Sequence, residues 1–405
     1  MATGAGTLPP LHPVAGLRLG AVSAGIRKPG RPDLTLLTLP ETAAVAAVFT
    51  RNAFRAAPVI VAEEHLTLAV PRALLINTGY ANAGTGARGL QDARDCCAAA
   101  AGLLGVSPAH VLPFSTGVIG EHLPVARVEK ALPELLKAAG EDGWASAATA
   151  ILTTDTRPKG ASLRLSCDDR EYTVTGISKG SGMIRPDMAT MLAFVATDAP
   201  VARGDLDLLL REVTQRSFNR ISVDGDTSTN DACCLIATGS AGGDRLQPGS
   251  EGWEAFAAAV ESLCVDLATA IVRDGEGATR FITLNVAGAT SEAEARQVAD
   301  AVAHSPLVKT AFFAGDPNWG RILAAVGRAG LRDLVLERVD IDLGDVPVVR
   351  GGEVADGYTE EAGAAVMAQE DIVMAIHLGR GDYASCVWTC DLSHEYVRIN
   401  AEYRS

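Results

Sequence analysis

The 405-residue chain has few aromatic residues (5%), only seven histidines, and no stretch rich in Lys and Arg. Its 35 Lys and Arg stand against 49 Asp and Glu, for a net charge of −14. Nucleic acid and anionic membrane surfaces both need a positive face on their partner, so neither is expected to bind here. A small anion needs only one local positive pocket and is not excluded. The eight cysteines form no C-x-x-C pair, which removes the thioredoxin-like and zinc-ribbon readings. The histidines are scattered without H-E-x-x-H, so no metal site is expected. There is no G-x-S-x-G elbow and no P-loop, and the serine hydrolase and nucleoside triphosphatase classes fall with them. The N-terminus lacks the basic-then-apolar layout of a signal peptide, and no apolar run approaches the ~20 residues that span a bilayer. The expectation is a soluble, cytoplasmic protein with reduced thiols.

With 48% hydrophobic and 21% charged residues, the chain can bury a large core, which excludes a disordered polymer. Helical and strand-like stretches alternate, so the fold class is α/β or α+β. Leu206, Leu209, Leu210 and Val213 fall at i, i+3, i+4 and i+7, predicting a helix over 205–217. The same spacing predicts helices over 125–139, 252–273, 291–304 and about 318–329. Ile282, Leu284 and Val286 alternate with Thr283 and Asn285, predicting a half-covered strand over 280–286. The stretch after Thr190, MLAFVATDA, is apolar on both faces and is expected between layers.

Two glycine-rich segments compete for a functional role. GTGARG at 84–89 matches G-x-G-x-x-G through Gly84, Gly86 and Gly89. A dinucleotide fold, however, puts its first glycine directly after the strand and an acidic residue about 20 positions on. Here the seven residues 78 to 84 carry the chain from Asn77, the end of the apolar run ALLIN, to Gly84, and 99–120 holds no Asp or Glu. A structural loop is therefore expected. The second segment, GISKGSGMIRPDMATMLAFV at 176–195, sets Lys179 between glycines and breaks at Pro186 before Ala189-Thr190. A lysine in such a loop supplies a point charge for a carboxylate. A threonine hydroxyl is a poor nucleophile unless a base adjoins it, and an N-terminal threonine carries that base as its own α-amine, with a pKa near 8. Thr190 reaches that state only if the Ala189–Thr190 bond is cut.

The block KGSGMIRPDMATML resembles the autocleavage and nucleophile motif of the glutamate N-acetyltransferases of the ornithine acetyltransferase type, which act in arginine biosynthesis. The resemblance continues through VFTRNAFRAAPV (48–59), LLINTGYANAGTG (74–86), FSTGVIG (114–120), ILTTDTRPK (151–159), SFNRISVDGDTSTND (217–231), GEGATR (275–280), GDPNWGRILAAVG (315–327) and WTCDLSHEYVRINAEYRS (388–405). It departs at Arg185 and Asp187, where Ala and Asn are usual, at Gly84 for a common Cys, and at Ser405 for a frequent Thr.

The resemblance implies a layered α/β/β/α sandwich shared with self-processing aminopeptidases. It implies self-cleavage into an α part, 1–189, and a β part, 190–405, in which Thr190 is the nucleophile and Ala189 the residue before the cut. Thr116 and Gly117 match the oxyanion-hole pair. Thr153, Lys179, Thr190, Glu276, Asn400 and Ser405 match substrate contacts. The implied reaction is a ping-pong transfer of the acetyl group of N2-acetylornithine to glutamate without metal or cofactor, acetyl-CoA being left open as a second donor. The implied assembly is two α and two β chains. The rivals are a self-processing amidohydrolase or aminopeptidase that passes the acyl group to water, a dinucleotide-binding oxidoreductase built on GTGARG, and an uncut binding protein. Asp226, Asp316 and Arg321 stand in matching blocks, and the residues give them no role; Asp316-Pro317-Asn318 suits a helix N-terminal turn as well as a ligand set.

Overall fold

The computed structural model describes residues 3–4, 6–27, 30–167, 170–185 and 191–402. The chain forms two compact units, one made of Thr7–Asn219 with Asp226–Ile271, the other of Met1–Gly6, Arg220–Gly225 and Val272–Ser405.

The larger unit contains two sheets. In chain order its strands are β1 (Arg18–Val22), β2 (Leu34–Thr38), β3 (Ala44–Phe49), β4 (Ala73–Tyr80), β5 (Val111–Val118), β6 (Lys159–Cys167), β7 (Arg170–Lys179) and β8 (Leu192–Thr197). After β9 (Ile221–Ser222), which belongs to the other unit, comes β10 (Ala232–Ala237). The first sheet has the order β1-β2-β4-β5 and the second β3-β10-β8-β7-β6. Alternation along the strands sorts the apolar side chains. Leu37, Leu74, Ile76, Leu112 and Phe114 of the first sheet share a core with Val45, Ile177, Leu192, Phe194, Cys234 and Ile236 of the second. Phe114 and Phe194 meet edge to face across it, with centroids 5.2 Å apart.

The opposite face of the first sheet, through Leu34, Leu36, Leu75 and Val111, is covered by α2 (Gly86–Leu104) and α3 (Val125–Ala138), which follow α1 (Ala57–Leu68) in the chain. Helix α4 (Trp144–Ala150) inserts Trp144, Ala147 and Ala148 into the core between the sheets. The outer face of the second sheet is covered by α5 (Arg203–Arg216) and α6 (Trp253–Arg273). Gly176 on β7 lets α6 approach closely, because a Cβ there would lie 2.9 Å from Leu267 and 3.0 Å from Leu263. The layers thus run helix, sheet, sheet, helix, as the sequence blocks implied, and β8 is buried along its whole length.

Helix α6 is the one long apolar helix among the described residues. It has 21 residues and is apolar enough to cross a membrane by length and composition. Its apolar side chains Phe256, Val260, Leu263, Leu267 and Ile271 are nonetheless buried, while Glu254 and Asp266 face outward. That pattern is a core helix lying on a sheet.

The smaller unit is one seven-stranded sheet ordered β14-β13-β12-β15-β11-β16-β9. Its strands are β9 with β11 (Phe281–Ala289), β12 (Asp340–Leu343), β13 (Val346–Arg350), β14 (Glu353–Val354), β15 (Asp371–His377) and β16 (Tyr383–Cys390). Ile282, Leu284 and Val286 of β11 bury against α7 (Glu292–Ala303), α8 (Pro306–Ala314) and α9 (Trp319–Gly327) through Val298, Val302, Phe312, Ile322 and Val326. Helices α10 (Glu360–Met367) and α11 (His394–Ala401) complete it. Ser291, Ser305 and Asn318 cap α7, α8 and α9 by accepting from backbone N–H groups in the first turn. Asp316 accepts from Asn318 Nδ2 at 3.0 Å and Arg321 donates to the Leu307 carbonyl at 3.0 Å, so Asp316-Pro317-Asn318 is the N-terminal turn of α9.

Candidate active site

One end of the second sheet gathers the groups that carry chemistry. The last residue of β7, Lys179, pairs with Leu192 at the start of the antiparallel β8, and Ala232 at the start of β10 pairs with Leu192 in parallel. A small pocket at this end is lined by Thr116, Lys179, Gly180, Met183, Ile184, Met191, Ser228, Asn230 and Asp231. Met191 is the residue that follows Thr190 in sequence. Thr190 and Ala189 themselves lie outside the described residues, as does Ser405.

The Lys179 side chain is buried and donates to Thr116 Oγ1 at 3.2 Å and Thr153 Oγ1 at 2.9 Å. Three expected residues, far apart in sequence, therefore meet around one ammonium group, which is not the solvated lysine of a plain hairpin. Because Thr116 Oγ1 accepts from Lys179, its own proton is left to donate elsewhere. Gly117, next on β5, has φ +134, and a Cβ there would sit 2.3 Å from the Gly79 carbonyl carbon. Only glycine allows β4 and β5 to run this close at the pocket. Asn230 ties the 228–231 loop to the same strand, donating to the carbonyls of Ser115 at 2.9 Å and Ala81 at 2.6 Å.

The charge of Lys179 is balanced from behind. Asp155 is buried and accepts from Lys159 Nζ at 2.6 Å, from the Gly180 N–H at 2.7 Å and from the Thr153 N–H at 3.0 Å. Burial would raise its carboxyl, but the Lys159 and Lys179 ammonium groups and these hydrogen bonds hold it well below the usual carboxylate range. Asp231, on the other side of the pocket, is shifted the opposite way. Burial pushes its carboxyl well above the usual range, outweighing a hydrogen bond with Ser228 and the attraction of Lys179.

Glu276 and Asn400 belong to the smaller unit. Asn400 lies in the last turn of α11 and donates to Glu276 Oε2 at 2.7 Å. Gly277 makes the approach possible, since a Cβ would stand 2.6 Å from Ser393 Oγ and 2.7 Å from the Tyr396 nitrogen. Ser393 Oγ donates to the Gly277 carbonyl at 2.6 Å.

The GTGARG segment uses its polar groups on itself. Thr85 donates to Asn82 Oδ1 at 2.7 Å and Asn82 Nδ2 to the Gly89 carbonyl at 2.9 Å, while Gly84 and Gly86 take positive φ to enter α2. This is the expected structural loop. The cysteines are seven buried thiols and one half-buried, without disulfides, and burial pushes Cys96 and Cys264 up to about 12, so neither is a ready nucleophile.

Three buried acids and bases escaped the sequence reading. Asp155 and Lys159 stand four apart inside ILTTDTRPK, a visible signal for a pair, and Asp231 ends a polar block directly before the apolar run ACCLI.

A helix, sheet, sheet, helix unit with hydroxyls, a lysine and a buried acid gathered at one sheet end is the class of protein that the sequence blocks implied. A profile of the ArgJ family matches residues 18–405, and the chain belongs to that family. It is 56% identical over 407 residues to the arginine biosynthesis bifunctional protein ArgJ of Pseudomonas syringae pv. tomato, covering all of both chains. It is 57% identical over 395 residues to the protein of the same name from Methylococcus capsulatus, covering 98% of this chain and 97% of that one. A crystal structure of the arginine biosynthesis bifunctional protein argJ from Bacillus halodurans superposes with a TM-score of 0.51 at 42% identity, over 52% of this chain and 99% of the solved one.

Proposed function

We propose that this protein transfers the acetyl group of N2-acetylornithine to glutamate, giving ornithine and N-acetylglutamate, through an acetyl ester on Thr190. Membership of the ArgJ family and relatives named for arginine biosynthesis support the pathway. The observation that carries the chemistry is the Lys179 ammonium holding Thr116 and Thr153 beside Met191, the residue next to the nucleophile.

In this reading Thr190 Oγ first attacks the Ala189 carbonyl, the peptide C–N bond breaks to free the α-amine and leave an ester, and water hydrolyses that ester, dividing the chain into 1–189, ending in the Ala189 carboxylate, and 190–405. That the solved relative's chain corresponds to about half of this one supports a divided chain. The freed α-amine of Thr190 takes the proton from its Oγ as the oxygen attacks the acetyl carbonyl. The Thr116 hydroxyl and Gly117 N–H stabilise the oxyanion. The C–N bond breaks, the α-amine returns the proton to the leaving nitrogen, and ornithine departs. The amine of glutamate then attacks the ester, and Thr190 Oγ leaves and regains its proton. Lys179 and Thr153 receive the α-carboxylate, and Glu276, oriented by Asn400, pairs with an ammonium group. Ser405 is assigned to the same substrate contacts. The scheme uses no metal or resident cofactor and leaves acetyl-CoA open as a second acetyl donor, and the divided chains assemble as α2β2 in the cytoplasm.

Intact mass of the purified protein beside Thr190→Ala tests this. Two fragments beginning at Met1 and Thr190 are expected in the first and one uncut chain in the second. After incubation with N2-acetylornithine the 190–405 fragment should gain one acetyl mass, discharged by glutamate but not by buffer alone. Discharge by water at the same rate would make the protein a hydrolase, and an uncut chain that still transfers acetyl would remove the α-amine from the mechanism.

A further inference from the structure

Asp231 is 2% exposed, lines the pocket, and its Oδ2 has no hydrogen-bond partner among the described residues. Leaving such an atom unsatisfied is unfavourable, and its surroundings show no general looseness. Neighbouring Thr229 donates to Asn230 Oδ1 at 2.5 Å, Asn230 makes its two carbonyl contacts, and the Thr50 N–H donates to the Asp231 carbonyl at 3.0 Å. The backbone sets Asp231 level with Met191, because the Ala232 N–H donates to the Met191 carbonyl at 2.9 Å and the strands continue in parallel from there. The unsatisfied oxygen therefore sits on a backbone held level with Met191, the residue that follows Thr190 in sequence, in the pocket that also contains Thr116 and Lys179.

The charged group facing Asp231 among the described residues is Lys179, whose own neighbourhood holds the Asp155–Lys159 pair; Ser228 is neutral. Burial outweighs these attractions and pushes the carboxyl well above its usual range, which favours the protonated form, in which Oδ2 is a donor. A donor calls for an oxygen on the ligand rather than for an ammonium group.

We propose that Asp231 is a further catalytic residue of this site, whose Oδ2 hydroxyl donates a hydrogen bond to an oxygen of the acylated amino acid, either its carboxylate or its acetyl carbonyl. This rests on the acetyl-transfer reading above.

The test is steady-state transfer from N2-acetylornithine to glutamate by full-length wild type, Asp231→Asn and Asp231→Ala across pH, with intact mass and thermal melting reporting cleavage and folding. Asn keeps a donor of the same shape, so a loss of about tenfold is expected, against about a hundredfold or more for Ala, the scale of removing one donor from an oxyanion site. Activity of the wild type should fall as pH rises through the raised Asp231 value, and that alkaline fall should vanish in Asp231→Asn. A loss in KM identifies the carboxylate as the partner, a loss in kcat the acetyl oxygen. The proposal is overturned if a folded, cleaved Asp231→Asn loses as much as Asp231→Ala, if Asp231→Ala stays within about threefold of wild type, or if the alkaline fall persists in Asp231→Asn. If the wild type moves no acetyl group, the transfer reading itself fails and this assignment with it, an outcome distinct from equal loss in the two variants.

Discussion

The Asp155–Lys159 pair offers the sharpest test of how the candidate site is held. Both side chains are almost fully buried, 0% and 1% exposed, and their charged atoms are 2.6 Å apart. Asp155→Asn removes the charge but keeps an oxygen for the Gly180 N–H, so its cost is mainly that of taking the carboxylate from a buried ammonium, about 3–5 kcal/mol. Lys159→Met strands the carboxylate in the same way and should cost a similar amount. Asp155→Asn with Lys159→Met removes both charges and should recover most of the loss, to within about 1–2 kcal/mol of the parent, because apolar or neutral replacements of a whole buried pair are often close to neutral. Urea unfolding read from tryptophan fluorescence, with Trp144 in the core of the same unit, would measure this in a Thr190→Ala background that keeps the chain in one piece. The pH dependence carries a sign. A carboxylate whose folded pKa lies below its unfolded value contributes stability that is fully present above the unfolded value, near 3.9, and lost as pH falls through the folded one. The gap between parent and Asp155→Asn should therefore be constant from about pH 6 upward and close as acid is added. Single-variant costs below about 1 kcal/mol, the range of exposed pairs, or a double variant equal to the sum of the singles, would refute the reasoning.

Thr116→Val keeps the size of the side chain and removes the hydroxyl that Lys179 orients; kcat for acetyl transfer should fall about a hundredfold or more with melting temperature little changed, and a purely KM effect would place Thr116 in substrate binding instead. Deleting 400–405 removes the Asn400 amide from Glu276 at the end of α11, where little else is buried, so turnover should drop far more than stability; near-normal turnover of the truncated protein would show that the Glu276 carboxylate needs no such partner.

What the sequence shows by itself follows the physics of each element. Helices α3, α5, α6, α7 and α9 appear within a few residues of their expected bounds because each buries one stripe. Helix α1 was missed because its buried residues, including Val59, Val61, Ala62, His65 and Leu66, are spread around it with no clean apolar face. The glycine-rich stretch 176–182 reads as an interruption, yet β7 continues through Lys179 and the break comes at Gly180; Gly176 serves close helix approach instead. Sheet order is not legible, since nothing local in β10 tells that its neighbours are β3 and β8. Likewise Thr116, Thr153 and Lys179 are brought together by register, and only the family resemblance joined them beforehand.

The acids divide along the same line. In sequence Asp155 and Asp231 are two aspartates in polar blocks; in the fold Asp155 faces two lysines and three hydrogen-bond donors, while Asp231 is fully buried against only the Ser228 hydrogen bond and the more distant pull of Lys179. A single ammonium, Lys179, lies between them. With both acids ionised the two carboxylates would match the two ammonium groups in number, but Asp231 would bear the desolvation of a buried anion that Ser228 and Lys179 do not offset. If neither were ionised, the lysines would lack their counter-charge. Burial and neighbouring charges shift the two in opposite directions, Asp155 toward the carboxylate and Asp231 toward the neutral acid, which separates the roles that two identical side chains can take. The anion holds Lys179 and the Gly180 backbone in place through the whole cycle, while the neutral acid keeps a proton to offer where oxygen gains charge. Because this division depends on desolvation set by β7, β8 and β10 meeting at one end, no local pattern in the sequence could have assigned it.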